Sequence, residues 1–220
     1  GGIRALWARL IEDNPAADQS PLLLSYDIHP GPDGPVLIEI NTNAGGILTA
    51  QAAAEQVNRC CAQWEQRYLS AQLLDLFQRD LLGPDPAHCG LVAIVDDEVD
   101  QQPLRGEMDQ LAELMRPHAG DVRVLDASRL RYRNGRLRDG EDAIDRIYWR
   151  STDFLLQDPA HADIAQAVTE GSTQLAPSPQ AYAAIADKRR FIELSQQPVL
   201  ATNDGLEFRI AETLAMDSRD

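Results

Sequence analysis

The chain has 220 residues, 44% hydrophobic, 25% charged and 5% aromatic, and 20 Lys+Arg against 35 Asp+Glu give a formal charge of -15. Such a length can bury a core as one large domain or two small ones, without disulfide or metal staples, and the acidic balance argues against nucleic acid or an anionic membrane surface as partner. Apolar runs such as Leu91 to Val95 fall far short of the ~18 residues of a membrane span, and no charged-then-apolar leader opens the chain, which together point to a cytoplasmic protein.

In chain order, Leu22 to Asp27 reads as a strand, Pro30-Gly31-Pro32-Asp33-Gly34 as a turn and Pro35 to Asn41 as a second strand, together a β-hairpin. Leu24, Tyr26, Ile28, Val36, Ile38 and Ile40 occupy even positions. Ser25, Asp27, His29, Glu39 and Asn41 lie on odd ones, so one face is expected to be core and the other polar. Ile47 to Leu82 has the period of a long helix, or of two with a bend, stopped by Gly83-Pro84. Leu91 to Val95, Leu104 to Met115 and Val122 to Leu125 then read as strand, helix and strand, a βαβ unit. Leu130 to Arg138 looks like a small exposed hairpin around Asn134-Gly135. Ile144 to Trp149 is a buried strand, Ala160 to Thr169 a helix, Thr173 to Ala176 a short strand and Pro179 to Leu194 one further helix.

The fold class is therefore α/β: an N-terminal hairpin and helical segment over 1–83, a Rossmann-like parallel sheet of about four strands over 84–180, and a further segment over 181–220. Gly1-Gly2 without Met and the polar run Met216 to Asp220 suggest a piece of a longer protein. Cys60, Cys61 and Cys89 fit neither a disulfide framework nor a zinc site and are expected to pack as free thiols in a reducing compartment; a redox or metal role with His88-Cys89 is the other reading.

Chemistry concentrates in three places. A hairpin closed by a five-residue loop from Gly31 to Pro35 sets Asp27 opposite Glu39 and Ser25 opposite Asn41. Two carboxylates facing each other call for a cation, and Asp, Glu and Asn oxygens suit Mg²⁺, although a solvated outer face tolerates the same pair. Arg150 ends a strand, where it can pair with Asp153 or offer a planar fork to a carboxylate. Lys188, the single lysine among 19 arginines, sits in Asp187-Lys188-Arg189-Arg190, either a solvated helix face or a site. His29, His88, His118 and His161 stand far apart and are expected to cap loops or face solvent, which disfavours a zinc hydrolase. There is no G-x-S-x-G elbow, and Asp96-Asp97-Glu98 follows the strand where a dinucleotide site would have glycines.

The run Glu39-Ile40-Asn41-Thr42-Asn43-Ala44-Gly45-Gly46 resembles the metal-binding strand of the ATP-grasp superfamily, and Asp27 looks like the acid on its neighbouring strand. The runs Ile147 to Phe154, Leu175-Ala176-Pro177-Ser178-Pro179 and Ala186 to Arg189 are similar to the stretch by which a glutathione-synthetase-like pre-ATP-grasp domain enters its ATP-grasp domain. The resemblance implies an ATP-dependent carboxylate–amine ligase working through an acyl phosphate, with ATP and Mg²⁺ as cofactors and a small carboxylate and an amine as substrates. It carries Asp27, Glu39 and Asn41 over as Mg²⁺ ligands, Lys188 as a nucleotide contact and Arg150 as the substrate-carboxylate contact. Two features depart from the family: Glu39 and Asn41 precede Lys188 by about 150 residues instead of following it, and no second Lys strand with a Gly-rich loop occurs before Asp220. A circular permutation, an N-terminal element mimicking the motif, or a longer chain would each account for the order. The alternatives are a non-catalytic binding or scaffold domain and a simple Mg²⁺-binding hairpin.

Overall fold

A computed structural model describes residues 23–61, 69–196, 200–201 and 207–215. The protein is mixed α/β and divides into two compact units, one built from Gly1–Thr42 and Ser178–Asp220, the other from Asn43–Pro177. The hairpin and the expected 181–220 segment thus share the first unit, and the helical stretch from Ile47 belongs with the second.

The first unit begins with the antiparallel strands β1 (Ser25–Gly31) and β2 (Gly34–Asn41). Ser25 pairs with Asn41, Tyr26 with Ile40 and Asp27 with Glu39, as the sequence register requires, but nearer the turn Ile28 pairs with Leu37 and Gly31 with Gly34. Ile38 is the extra residue of a β-bulge, and the expected five-residue loop contracts to the two residues Pro32-Asp33. A bulge reverses the alternation beyond it. Leu37, on an odd position, is therefore buried with Ile40, while Ile28 and Ile38 are 45% and 48% exposed, and the apolar face expected from even positions is broken.

The second unit opens with α1 (Ile47–Cys61) and α2 (Leu69–Phe77), which runs into a π-helical turn over Gln78–Leu82. Its sheet contains β3 (Leu91–Asp96), β4 (Asp121–Asp126), β5 (Leu130–Arg133), β6 (Arg136–Asp139), β7 (Asp142–Trp149) and β8 (Gln174–Ala176). Strands β4, β3, β7 and β8 lie side by side in that order and pair in parallel. The start of β7 pairs instead with β6, antiparallel, at Ala143 and Asp142. Every residue of β3 is buried, which explains why the central strand is an unbroken apolar run rather than an alternating one. Helix α3 (Arg105–Ala119) packs on β3 and β4, and α4 (Ala162–Thr169) on β5 and β6. Leu91, Ala93, Val95, Ile147 and Trp149 join Ile164 and Ala167 in one core cluster. Tyr148 points the other way and meets the Phe77 ring edge-on at 5.2 Å. The hairpin at Asn134-Gly135 forms with the positive φ angles of 53° and 74° that its turn requires, but it is no ornament: Leu130 and Leu137 are buried in the same cluster.

The chain then returns to the first unit. The single helix expected over Pro179 to Leu194 is two helices, α5 (Pro179–Ile185) and α6 (Lys188–Leu194). Asp187 breaks them apart because it takes an extended conformation and its carboxylate accepts from Arg189 N at 2.9 Å, an N-cap that starts a helix anew. Lys188 is thus the first residue of a helix and not an interior residue of a longer one. Strands β9 (Leu200–Ala201) and β10 (Glu207–Ile210), absent from the sequence reading, complete a sheet ordered β1, β2, β10, β9, with β10 parallel to β2. Leu37, Ile40, Ile185, Phe191, Leu194 and Ile210 form its core. No helix among the described residues is long and apolar enough to cross a membrane.

Candidate functional site

In the first unit the acid-x-Asn strand meets the lone lysine. Asp27 and Glu39 are cross-strand partners, and Lys188 Nζ lies 3.7 Å from Glu39 Oε2, so the ammonium stands beside the like-charged pair that the sequence said would need a cation. With Lys188 largely exposed and Glu39 one-third exposed, this ion pair adds little stability. Its significance is placement, since the two residues are far apart in the chain. Below them Asp187 grips Arg189 through both backbone and guanidinium, and that hydrogen bond holds its carboxyl below the usual carboxylate range. Burial pushes the Tyr182 phenol up, and the charges of Asp187 and Glu39 push it the same way. Asn41 is paired with Ser25 one step along the ladder. Thr42, fully buried, has a hydroxyl without a hydrogen-bond partner among the described residues.

The donor chemistry of Asp27, Glu39 and Asn41 suits Mg²⁺, which keeps several waters and needs only one or two carboxylates besides substrate phosphates. An all-protein cage is another matter: among the described residues no group of three or more His, Cys, Asp or Glu is arranged so that it could hold a metal ion.

Arg150 belongs to the second unit. It follows β7, and its Nη1 donates to the carbonyls of Asn43 at 2.5 Å and Ala44 at 3.2 Å and to the Tyr148 hydroxyl at 3.1 Å. The guanidinium also stacks over the Tyr148 ring, 5.4 Å from its centroid. The expected alternative, an ion pair with Asp153, does not form; Asp153 is taken by His161. Arg150 instead clamps the Gly-rich turn, and it comes so near that a Cβ on Gly45 would lie 2.6 Å from Nη2. A second clamp is Glu107 of α3, which is 5% exposed. Its carboxylate accepts from Gly46 N at 2.8 Å and from Thr49 N and Oγ1 at 3.4 Å, so a buried negative charge sits at the N-terminus of α1.

At the carboxyl ends of β3 and β7 lies a part-buried polar network around the buried His161 and Ser151. His161 Nε2 is 2.8 Å from Asp97 Oδ1, and Nδ1 is 2.7 Å from Asp153 Oδ2. Ser151 Oγ donates to the other oxygen of Asp97 at 2.6 Å, and the backbone N–H groups of Gln157 and Asp158 donate to Asp153. Trp149 packs edge-on against the imidazole, with ring centroids 4.9 Å apart. The neighbouring Asp96 is 7% exposed, and burial pushes its carboxyl up while the Arg150 charge pulls it back. These strands lie on either side of the point where the chain order reverses, with β4 beyond β3 and β8 beyond β7, the location at which open parallel sheets form a crevice for ligands.

No family model and no curated protein matches the chain.

Of the residues singled out from sequence, Asp27, Glu39, Asn41 and Lys188 fall in one unit and Arg150 in the other. His161 overturns the expectation that every histidine caps a loop or faces solvent, since it is 2% exposed. A signal was available: it follows Asp153 by eight residues and Asp97 by 64, both at strand ends, but only the sheet order brings these acids together. Glu107 was missed because a Glu in the first turn of a helix reads as a solvated, dipole-favouring residue. Cys89 is buried, and burial pushes its thiol up, so it behaves as a packing residue; His88 is exposed and bonded to Asp85, not to Cys89. Cys60 and Cys61 end α1, but their side chains lie outside the described residues.

Proposed function

We propose that the protein is an ATP-dependent carboxylate–amine ligase of the ATP-grasp kind, or the part of one that carries the acid-x-Asn strand. The observation that carries this reading is the 3.7 Å approach of Lys188 to Glu39 within a unit made from both ends of the chain. The family pattern requires a lysine near the acid-x-Asn strand, and the discontinuous unit supplies it despite the reversed order, as a circular permutation would. Further support comes from the second unit, read as a Rossmann-like pre-ATP-grasp domain on its four parallel strands and on its place in the sequence, where it separates the two stretches of the first.

In this reading Glu39 and Asn41, with Asp27 opposite, hold Mg²⁺, which when bound neutralises phosphate charge. Lys188 carries the adjacent positive charge, at the start of α6, where its exposed ammonium can reach a phosphate oxygen. Arg150 fixes the turn that follows the acid-x-Asn strand through Nη1; its other N–H groups would orient the substrate carboxylate. The free, buried Cys89 agrees with a reducing cytoplasmic setting.

The test is calorimetric titration of the chain with ATP in the presence of Mg²⁺, repeated on Lys188→Ala and Glu39→Gln. Saturable binding is expected, weakened at least about tenfold by either change, the scale of one charge-assisted hydrogen bond. Absence of binding, or binding that both variants leave intact, overturns the reading and leaves a non-catalytic binding domain.

A further inference from the structure

The ring of His161 poses a question of proton count. Both its nitrogens lie within hydrogen-bond distance of carboxylate oxygens, Asp97 on one side and Asp153 on the other. Ionised carboxylates only accept, and a neutral imidazole has one N–H to donate, so a neutral ring would turn a lone pair toward one of the two acids. With 2% of the residue exposed, water does not reach the ring itself, although it reaches Asp97, whose side chain is 45% exposed. An imidazolium donates to both.

We propose that His161 is a proton-operated latch: as an imidazolium it ties the segment Ser151–His161, which directly follows Arg150, to the tip of β3, and on losing its proton it lets go. The two acids are unequally held, and this decides which contact fails. Asp153 belongs to the same segment as His161 and keeps the N–H groups of Gln157 and Asp158 whatever the ring does. Asp97 comes from the turn after β3 and retains only the Ser151 hydroxyl from the segment. Deprotonation therefore removes the charged tie between the strand tip and the segment and leaves the Ser151 hydroxyl to hold Asp97, while the segment keeps its internal turn. The groups facing the ring are Asp97 from the turn after β3, Asp153 and Ser151 from the stretch after β7, and the Trp149 edge; the Asp158 carboxylate is turned to Ala160 N. Burial works against the charged ring, but the hydrogen bonds and charges of Asp153 and Asp97 outweigh it, and the net direction is upward from 6.5.

The sign follows from that direction. A histidine titrating higher in the latched state than in the open one stabilises the latch fully below 6.5. The contribution is lost as pH rises through the ring's own titration. The experiment is nitrogen NMR of the imidazole in the whole chain across pH 5 to 9, paired with amide hydrogen exchange of residues 153–161. At pH 7 both ring nitrogens should show imidazolium shifts. Segment protection, corrected for intrinsic exchange, should fall about tenfold per pH unit from 6.5 up to the ring's titration and then level off. Asp97→Asn, which keeps the shape and removes one acceptor charge, should lower the ring's titration and flatten the exchange profile; it serves where His161→Gln does not fold. A neutral ring at pH 7, a titration at or below 6.5, or protection that does not change with pH would overturn the latch.

Discussion

Replacing Glu107 by alanine isolates the clamp on the Gly45-Gly46 turn. The strongest bond lost is the charge-assisted one from Gly46 N at 2.8 Å, worth about 1.5–3 kcal/mol when a charged acceptor is removed. The two contacts from Thr49 at 3.4 Å are long and add little, and a negative charge at a helix N-terminus contributes about 0.3–1 kcal/mol more. The expected loss is therefore about 2–4 kcal/mol, which in a chain of this size lowers Tm by roughly 4–16 °C. Glu107→Gln keeps the shape and one acceptor and should lose about half as much. Glu113 on the same helix is largely exposed, and its alanine variant should stay within about 0.5 kcal/mol of the parent. Urea denaturation followed by near-ultraviolet circular dichroism reads all three. If Glu107→Ala and Glu113→Ala were indistinguishable, the carboxylate would not be what holds the turn.

Two further substitutions examine the first unit. Thr42→Val removes a buried hydroxyl that has no partner among the described residues and should stabilise by about 1 kcal/mol in thermal or urea unfolding; destabilisation would mean the hydroxyl is bonded. Asp187→Ala should cost about 1 kcal/mol as a lost N-cap, whereas Asp187→Asn should keep most of the cap. Because the Arg189 bond depresses the Asp187 titration, its contribution is complete above 3.8 and disappears as pH falls through the lowered value. Acid unfolding of the Asn variant should lack that component.

Local chemistry made most secondary structure readable. The Asn134-Gly135 turn, the apolar β3 run and the β1–β2 hairpin all announce themselves within a few residues, and each forms, although the hairpin's expected alternation breaks at Ile38. What escaped depends on partners remote in sequence. The bulge at Ile38 exists because β2 must turn Leu37 as well as Ile40 onto a core completed by Phe191 and Ile210, more than 150 residues later. Strand β10 carries alternating Glu207, Phe208, Arg209 and Ile210, too short to announce itself, and it takes shape beside Val36 and Leu37. The split between α5 and α6 was legible in principle, since Asp187 is a good cap, but an apolar period running through it hid the break. For the candidate site, the Asp27 and Glu39 pairing followed from register, whereas the meeting of Glu39 with Lys188 needed the topology of the whole unit.

That topology also orders events on the ribosome. The second unit has its complete sequence once Pro177 has emerged, so its parallel sheet can close early. Strand β2 is made far sooner, and its neighbour β10 follows it only about 165 residues later in the chain. Through that interval one edge of the hairpin offers unpaired N–H and C=O groups, with half-exposed Ile28 and Ile38 nearby. The nascent chain is therefore exposed to mispairing with its neighbours through the β1–β2 hairpin, and holdase chaperones would find a target there.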